Sequence, residues 1–265
     1  MFQSKKNLTV KELEKLDHSH LLSLDDIYEM EVLLNTDNSQ FNKDKTKYYS
    51  NSPILLPKNI TDNFEGYKLP FNYYKDSILQ YYLLAQIKGY GDINAPSNSI
   101  PTNRHYYNTK LFFENVEEGL LLDVGCDKPS VSHLVYPKGI NYIGIDPSFS
   151  NNEDKIIGMA EFLPFKDSSF NYVSFNTSLD HILDYHSAIN EAKRVLKSDG
   201  SIFIISYCWK NNLSLLKDTV HFHHYKENQL TDTLIGDFEI QKIQRFEDIK
   251  GEDHRFVIFI QAKKF

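Results

Sequence analysis

The chain reads as an α/β protein. Its expected core is a mostly parallel sheet of seven strands that ends in an antiparallel hairpin, with a helical extension at the N-terminus. Three observations predict this. From Gly119 onward, short apolar runs alternate with turn residues and amphipathic stretches. The last two apolar runs, Phe238 to Phe246 and Arg255 to Lys263, are joined by a polar connection too short for the crossover that parallel strands require. The first hundred residues instead carry blocks of helical periodicity. The expected division is therefore 1–103 as a helical cap or lid and 104–265 as the α/β domain.

The extension begins with Leu8 to Leu34. There Leu13, Leu16, Leu21, Leu22, Ile27, Met30 and Leu33 recur near helical spacing, with a break between His18 and Asp26. Asn35 to Pro53 is polar and turn-rich and reads as a long loop. Tyr67 to Tyr90 gathers Tyr73, Tyr74, Ile78, Leu79, Tyr81, Tyr82, Leu83, Leu84 and Ile87 into about five helical turns. Gly89 and Gly91 close it. Apolar residues surround most of that helix, which predicts burial between layers or in a homodimer contact. It reads either as a packing helix or as a cap whose tyrosine hydroxyls face a substrate. Asp92 to Asn103 is a linker with two prolines, and Arg104 to Val116 resumes helical spacing just before the sheet.

The sheet follows in order. Leu120 to Val124 is the first strand, Ser130 to Tyr136 a short helix, and Asn141 to Asp146 a second strand that ends in an acid. A third strand lies within Asp154 to Glu161, and Phe170 to Ser178 is the fourth. Tyr185 to Gly200 is an amphipathic helix closed by Gly200. Ser201 to Trp209, apolar on both faces, is the fifth strand, as expected where helices cover both sides of a sheet. Lys226 to Gly236 is a helix before the terminal hairpin.

Bulk composition narrows the function. The 265 residues are 41% hydrophobic, enough for a substantial core. The formal charge is −7 with no dense Lys/Arg stripe, so no nucleic-acid footprint is expected; a local basic pocket for an anionic substrate stays open. The two cysteines, Cys126 and Cys208, form neither a disulfide framework nor a metal-type pair. The N-terminal stretch lacks an apolar core of signal-peptide kind. No apolar run approaches the roughly 20 residues that span a bilayer. The expectation is a soluble, cytoplasmic protein with no membrane partner.

Two sets of residues carry the chemistry. The stretch "LLLDVGCDKPS", Leu120 to Ser130, is a buried strand running into a tight turn that exposes backbone N–H groups. In an open α/β sheet that is where a nucleotide-like cofactor binds. The second set is histidine-rich: "LDH", Leu179 to His181, follows the fourth strand, and "HFHHY", His221 to Tyr225, follows the fifth. Both loops face the carboxyl edge of the sheet. If residues 221–225 are extended, His221 and His223 point to one side. That sets two imidazoles toward a substrate, or makes half of a metal site that Asp180, His181 or Asp184 would have to complete. The alternative is a hydrogen-bonded, solvent-facing loop, and no metal is expected. Asp180, His181, His221 and His223 are the candidate catalytic residues.

From Gly119 to Phe265 the chain resembles the class I S-adenosylmethionine-dependent methyltransferases, in particular the type 11 group. The resemblance rests on ordered motifs. "LLDVGCD" resembles the first motif, "YIGIDPS" the acidic end of the second strand, and "GMAEFLPFKDSSFNYV" the family's G-x-A-E-x-L-P-F-x-D-x-S-F-D-x-V block. "SLDHILD" and "EAKRVLKSDGSIFI" resemble the exit of the fourth strand and the helix, turn and strand after it. The resemblance implies a Rossmann-like fold and S-adenosylmethionine as cofactor. It assigns Asp146, with Pro147 beside it, to the ribose hydroxyls. Ala160 and Glu161, with Met159 or Phe162, fall where the family contacts adenine. Gly125 and Cys126 form the turn near the methionine part, and Asp123 orients that turn or receives the ammonium through water. The main-chain region Asn176 to Ser178, with Asn176 and Thr177 as its candidate binding residues, ends the fourth strand near the sulfonium and the methyl group. Asp127 stands where the family usually has a second glycine. That departure also argues against a nicotinamide dehydrogenase, which needs its glycines at the pyrophosphate.

Methyl transfer is an in-line displacement that depends on positioning, and an oxygen acceptor usually needs a base. The expected activity is methylation of a small molecule, at an oxygen of a sugar, sugar nucleotide or related metabolite of surface-polysaccharide or secondary metabolism. The alternatives are an N-methyltransferase or a non-catalytic cofactor-binding protein of the same fold.

Overall fold

A computed structural model describes residues 48–49, 52–53, 103–126, 136–137, 139–147, 156–161, 163–182, 184–210, 223–247 and 255–265. The expected helices Leu8 to Leu34 and Tyr67 to Tyr90 lie outside the described residues, as does all but the last residue of Ser130 to Tyr136. Within the stretch expected as a long loop, β1 (Tyr48–Tyr49) pairs antiparallel with β2 (Ser52–Pro53).

Helix α1 (Asn103–Phe112) leads into the main sheet. Its strands are β3 (Gly119–Val124), β4 (Ile140–Asp146), β5 (Ile156–Ile157), β6 (Phe170–Asn176), β7 (Leu196–Trp209), β8 (Phe238–Glu247) and β9 (Arg255–Lys264). Their spatial order is β5-β4-β3-β6-β7-β9-β8. Pairs from β5 to β7 are parallel, and β9 runs antiparallel between β7 and β8. The mixed sheet and the terminal hairpin are as expected. The third strand is not: only Ile156 and Ile157 pair with β4, so the sheet has six full strands and a two-residue edge. The order reverses at β3, so the cleft of such a sheet opens at the carboxyl ends of β3 and its neighbours.

Two layers bury the sheet. On one face lie α2 (Tyr185–Val195) and α3 (Glu227–Leu234). Helix α2 buries Ala188, Ile189, Ala192 and Val195, a stripe at helical spacing, against Leu122, Val124, Val173 and Ile202. The other face is a bed of rings under α1: Phe112, Phe113, Tyr136, Tyr142, Phe203 and Phe259. Phe113 meets Tyr136 edge-on at 4.7 Å, and Phe112 meets Phe259 at 5.2 Å; such pairs add about 0.5–1.5 kcal/mol each beyond area burial.

Helix α2 is shorter than the sequence predicts. It begins at Asp184, whose side chain accepts from the Ser187 N–H at 3.1 Å. It ends at Val195, not Gly200. The N–H groups of Ser168 and Ser169 bond to the carbonyls of Arg194 and Val195 at 3.0 and 2.8 Å. Lys264 Nζ bonds to Lys193 O and Leu196 O, both at 2.7 Å. These distant donors satisfy the last carbonyls, and Leu196 to Gly200 joins β7 instead. Gly200 serves the sheet: a Cβ there would lie 3.1 Å from Asn171 O.

Candidate active site

Strand β3 delivers Asp123, Val124 and Gly125 to the carboxyl edge. Asp123 is 1% exposed. It sits in register between Gly144 of β4 and Ser174 of β6. Tyr142, two residues before Gly144 on the same face, donates its hydroxyl to Asp123 Oδ2 at 2.7 Å. The Tyr136 hydroxyl donates to Oδ1 at 3.0 Å and receives the Ser174 hydroxyl at 2.8 Å. Burial, then the Asp123 charge, pushes both phenols well above their ordinary range. They remain neutral donors, and Asp123 is an anchor beneath the turn. Of its two expected roles, these bonds fit orientation of the turn.

The turn is tighter than expected. Gly125 has φ +77°, and a Cβ there would sit 2.3 Å from Ser178 Cβ. Its N–H, expected to face a cofactor, bonds to Ile145 O at 2.8 Å, and the Cys126 N–H reaches the same carbonyl at 3.4 Å. Ser178 Oγ donates to Val124 O at 2.5 Å. The exits of β3, β4 and β6 are thus sewn together by short bonds.

On the β4 side, Asp146 ends its strand, nearly buried, with Pro147 beyond it. Its carbonyl accepts from the Gly158 N–H at 3.2 Å, which draws Met159 and Ala160, both buried, alongside. Glu161 Oε1 accepts from the Asp184 N–H at 3.3 Å. Phe162 lies outside the described residues. The following stretch is held by Arg194 of α2. Its guanidinium donates to Phe165 O (2.6 Å), Leu163 O (2.8 Å), Asp167 (2.9 Å) and Glu191 (2.7 Å). Glu191 in turn accepts from the Leu163 N–H at 2.8 Å. The hydrogen bonds that Arg194 donates to Glu191 and Asp167 hold it charged despite burial. The Leu163-to-Phe170 part of the motif block is therefore a docking strip for one arginine, with Phe165 and Phe170 edge-on at 4.8 Å.

On the β6 side, Thr177 follows Asn176 with φ +57°, a strained conformation for a β-branched residue. It persists because its N–H bonds to Ile205 O at 2.7 Å and its hydroxyl to Asn176 O at 2.7 Å. Such strain gathers at functional sites. A three-residue turn, Leu179–His181, follows, with Asp180 buried and His181 half-buried. His223 joins this turn: its N–H bonds to Asp180 O at 3.2 Å and its Nε2 to Ile182 O at 2.9 Å. Tyr225, 2% exposed, donates to Leu179 O at 3.0 Å. Cys208 of β7 bridges to Tyr225, and burial pushes its thiol up to about 12. Asp180, His181 and His223 are thus brought together, whereas His221 lies outside the described residues. Among the described residues, no three His, Cys, Asp or Glu side chains gather as a metal-binding group. No helix of the described residues is long and apolar enough to cross a membrane.

The sequence reading missed Tyr136, Tyr142, Ser174 and Arg194, and it named Ser178 only for its main chain. For Tyr142 a signal existed: an aromatic on the acid's face of the neighbouring strand, with Gly144 leaving room beside it.

A parallel core reversing at β3, an acid at the end of β4 and a tight glycine turn define a nucleoside-cofactor α/β enzyme. The methyltransferase domain family matches residues 103–248, and the chain belongs to it. It is a methyltransferase domain with a class I, Rossmann-like fold. The uncharacterized protein MJ0638 of Methanocaldococcus jannaschii is 34% identical over 120 residues, 43% of this chain and 50% of that protein. The uncharacterized methyltransferase YcgJ of Bacillus subtilis is 31% identical over 174 residues, 51% of this chain and 68% of that protein. The Burkholderia thailandensis 1,6-didemethyltoxoflavin-N1-methyltransferase, solved with 1,6-didemethyltoxoflavin and S-adenosylhomocysteine, superposes with a TM-score of 0.53 at 13% identity. That match covers 74% of this chain and 92% of the other and is a likeness of fold. The chain spans 50% of the length of MJ0638 and 61% of a second relative from the same organism, the uncharacterized protein MJ1252.

The chemistry of the residues fits the S-adenosylmethionine that the motif resemblance implies. Asp146 is a carboxylate at a strand end, an acceptor of the kind ribose hydroxyls need, and Met159 and Ala160 follow the backbone bond from Gly158 to Asp146.

Proposed function

We propose that this protein transfers a methyl group from S-adenosylmethionine to a small-molecule acceptor in the cytoplasm. The favoured acceptor is an oxygen of a sugar, sugar nucleotide or related metabolite of surface-polysaccharide or secondary metabolism. What supports the reading is the convergence, at one sheet edge, of Asp146 on one side and the Leu179–His181 turn on the other, about the Gly125 and Thr177 turns.

Bound there, the cofactor supplies an electrophilic methyl group on a sulfonium. Asp146 accepts the ribose hydroxyls, Met159, Ala160, Glu161 and Phe162 flank the adenine, and the Asn176–Thr177 main chain borders the methyl. Asp180, His181, His221 and His223 are the candidates for the acceptor pocket, and of these His223 has its Nε2 engaged with Ile182 O. A hydroxyl is a weak nucleophile at neutral pH and gains from an imidazole or carboxylate within hydrogen-bond reach; holding it in line with the sulfonium supplies much of the rest.

The test is a screen with methyl-labelled S-adenosylmethionine against sugars, sugar nucleotides and amines, with products resolved by mass. Label on a hydroxyl that falls in His181→Ala and Asp180→Asn supports the proposal. Label only on amines makes the protein an N-methyltransferase. Cofactor binding with no label on any acceptor favours a non-catalytic binding protein.

A further inference from the structure

We infer that His223 and Tyr225 form a clasp that sets the position of the Leu179–His181 turn, and so act on methyl transfer as positioning residues. The inference rests on the acceptor side proposed above.

The turn has little holding it from within. Two backbone bonds close it, His181 N–H to Ser178 O at 3.0 Å and Ile182 N–H to Leu179 O at 3.2 Å. A three-residue turn of this type is weak on its own. Three further donors come from residues 223–225, and each takes a different carbonyl. Tyr225 Oη binds Leu179 O at 3.0 Å, the His223 N–H binds Asp180 O at 3.2 Å, and His223 Nε2 binds Ile182 O at 2.9 Å. A carbonyl only accepts, so the last bond fixes a proton on Nε2.

The clasp is itself anchored. The Trp209 N–H bonds to Tyr225 O at 2.8 Å, and Tyr225 bridges in parallel to Cys208, so the segment extends the sheet at the end of β7. The His223 ring stacks on Tyr225 at 5.4 Å, and Tyr185, the first residue of α2, meets both rings edge-on at 4.9 and 5.1 Å. Packing alone does not require the polar atoms, since phenylalanine or leucine would fill the same space. The hydroxyl and the imidazole N–H fix carbonyls of the turn that carries Asp180 and His181. A displacement of about 1 Å at reacting groups can cost about a hundredfold in rate, which gives such a clasp a catalytic consequence without touching substrate.

The experiment compares wild type with Tyr225→Phe, His223→Ala and His223→Gln. Gln keeps a side-chain N–H donor but is no base. Amide hydrogen exchange is read at residues 179–182 and, as the internal control, in β3 and β7. S-adenosylhomocysteine affinity is measured by calorimetry, and the His223 tautomer by NMR of protein labelled at histidine nitrogen. The clasp predicts an Nε2–H tautomer and about tenfold faster exchange at the turn in Tyr225→Phe and His223→Ala. It also predicts unchanged β3 and β7, affinity within about twofold, and protection restored in His223→Gln. With an acceptor from the screen, kcat should fall more than KM rises in His223→Ala and recover in His223→Gln. Unchanged exchange at the turn, or a rise spread over β3 and β7, overturns the clasp. So does His223→Gln that restores protection yet stays as inactive as His223→Ala, because His223 is then a base. Wild type that fails to bind S-adenosylhomocysteine defeats the functional reading while leaving the exchange result to judge the clasp.

Discussion

The two sides of the cleft are built differently. On the cofactor side the parts come from adjacent strands in register: Asp123 faces Gly144 and Ser174, and Tyr142 reaches it from the same sheet face. Its geometry follows from strand pairing itself. On the acceptor side, the Leu179–His181 turn is held by His223 and Tyr225, which lie 41 and 46 residues from the carbonyls that their side chains bind. Strand register fixes one side through the backbone, whereas side-chain hydrogen bonds fix the other. The first is broken only by disturbing the sheet, the second by removing single polar atoms.

Breaking the cofactor side should cost most. Asp123→Ala removes two buried hydrogen bonds to a charged acceptor, from Tyr136, which keeps Ser174 as a partner, and from Tyr142. At about 1.5–3 kcal/mol for each hydrogen bond to a charged group, the loss should be about 3–6 kcal/mol in chemical denaturation. Gly125→Ala comes next, at about 2–3 kcal/mol, because a Cβ at φ +77° meets Ser178. Ser178→Gly alone costs the bond to Val124 O, but in that background Gly125→Ala should cost only its backbone part, a coupling that a general loss of stability would not give.

Smaller effects sharpen the contrast. Arg194→Ala should cost about 1–3 kcal/mol through the loss of hydrogen bonds from a charged donor. It should also raise exchange at residues 163–168, which that guanidinium holds. Arg194→Lys should rescue little, since an ammonium cannot bridge these acceptors in one plane. Least of all, the Glu227–Arg245 pair joins α3 to β8 on the surface. Hydrogen bonding from Arg245 holds the Glu227 carboxyl below its ordinary range. Its contribution is therefore present above the ordinary carboxylate pKa and lost as pH falls through the depressed one. Arg245→Gln should lower stability slightly at neutral pH and leave it unchanged once Glu227 is protonated, so the denaturation midpoints of variant and wild type should converge as pH falls.

Much of the β3–β4 edge was legible in the sequence. The run from Leu120 to Gly125 and the acid at Asp146 stand out because strand ends and tight turns need specific residue types in a short span. The hairpin was legible from the length of its connection. Other features depend on partners far along the chain. Helix α2 stops at Val195 because Ser168, Ser169 and Lys264 satisfy its final carbonyls, and no residue near Val195 announces that. The expected third strand shrank to Ile156–Ile157 because the residues after it serve the cleft and the Arg194 strip instead of the sheet. The histidines were legible as a cluster but not in their individual bonds: periodicity tells which way a side chain points, not which carbonyl it meets.

The central claim is that the carboxyl edge beside β4 holds S-adenosylmethionine through Asp146. Calorimetry with S-adenosylhomocysteine on wild type and Asp146→Ala tests it most directly, with circular dichroism confirming that the variant is folded. The account predicts saturable one-to-one binding to wild type and at least about a tenfold loss in Asp146→Ala, the value of one charge-assisted hydrogen-bonding group. Equal affinity in the two folded proteins, or no binding to wild type, would contradict it.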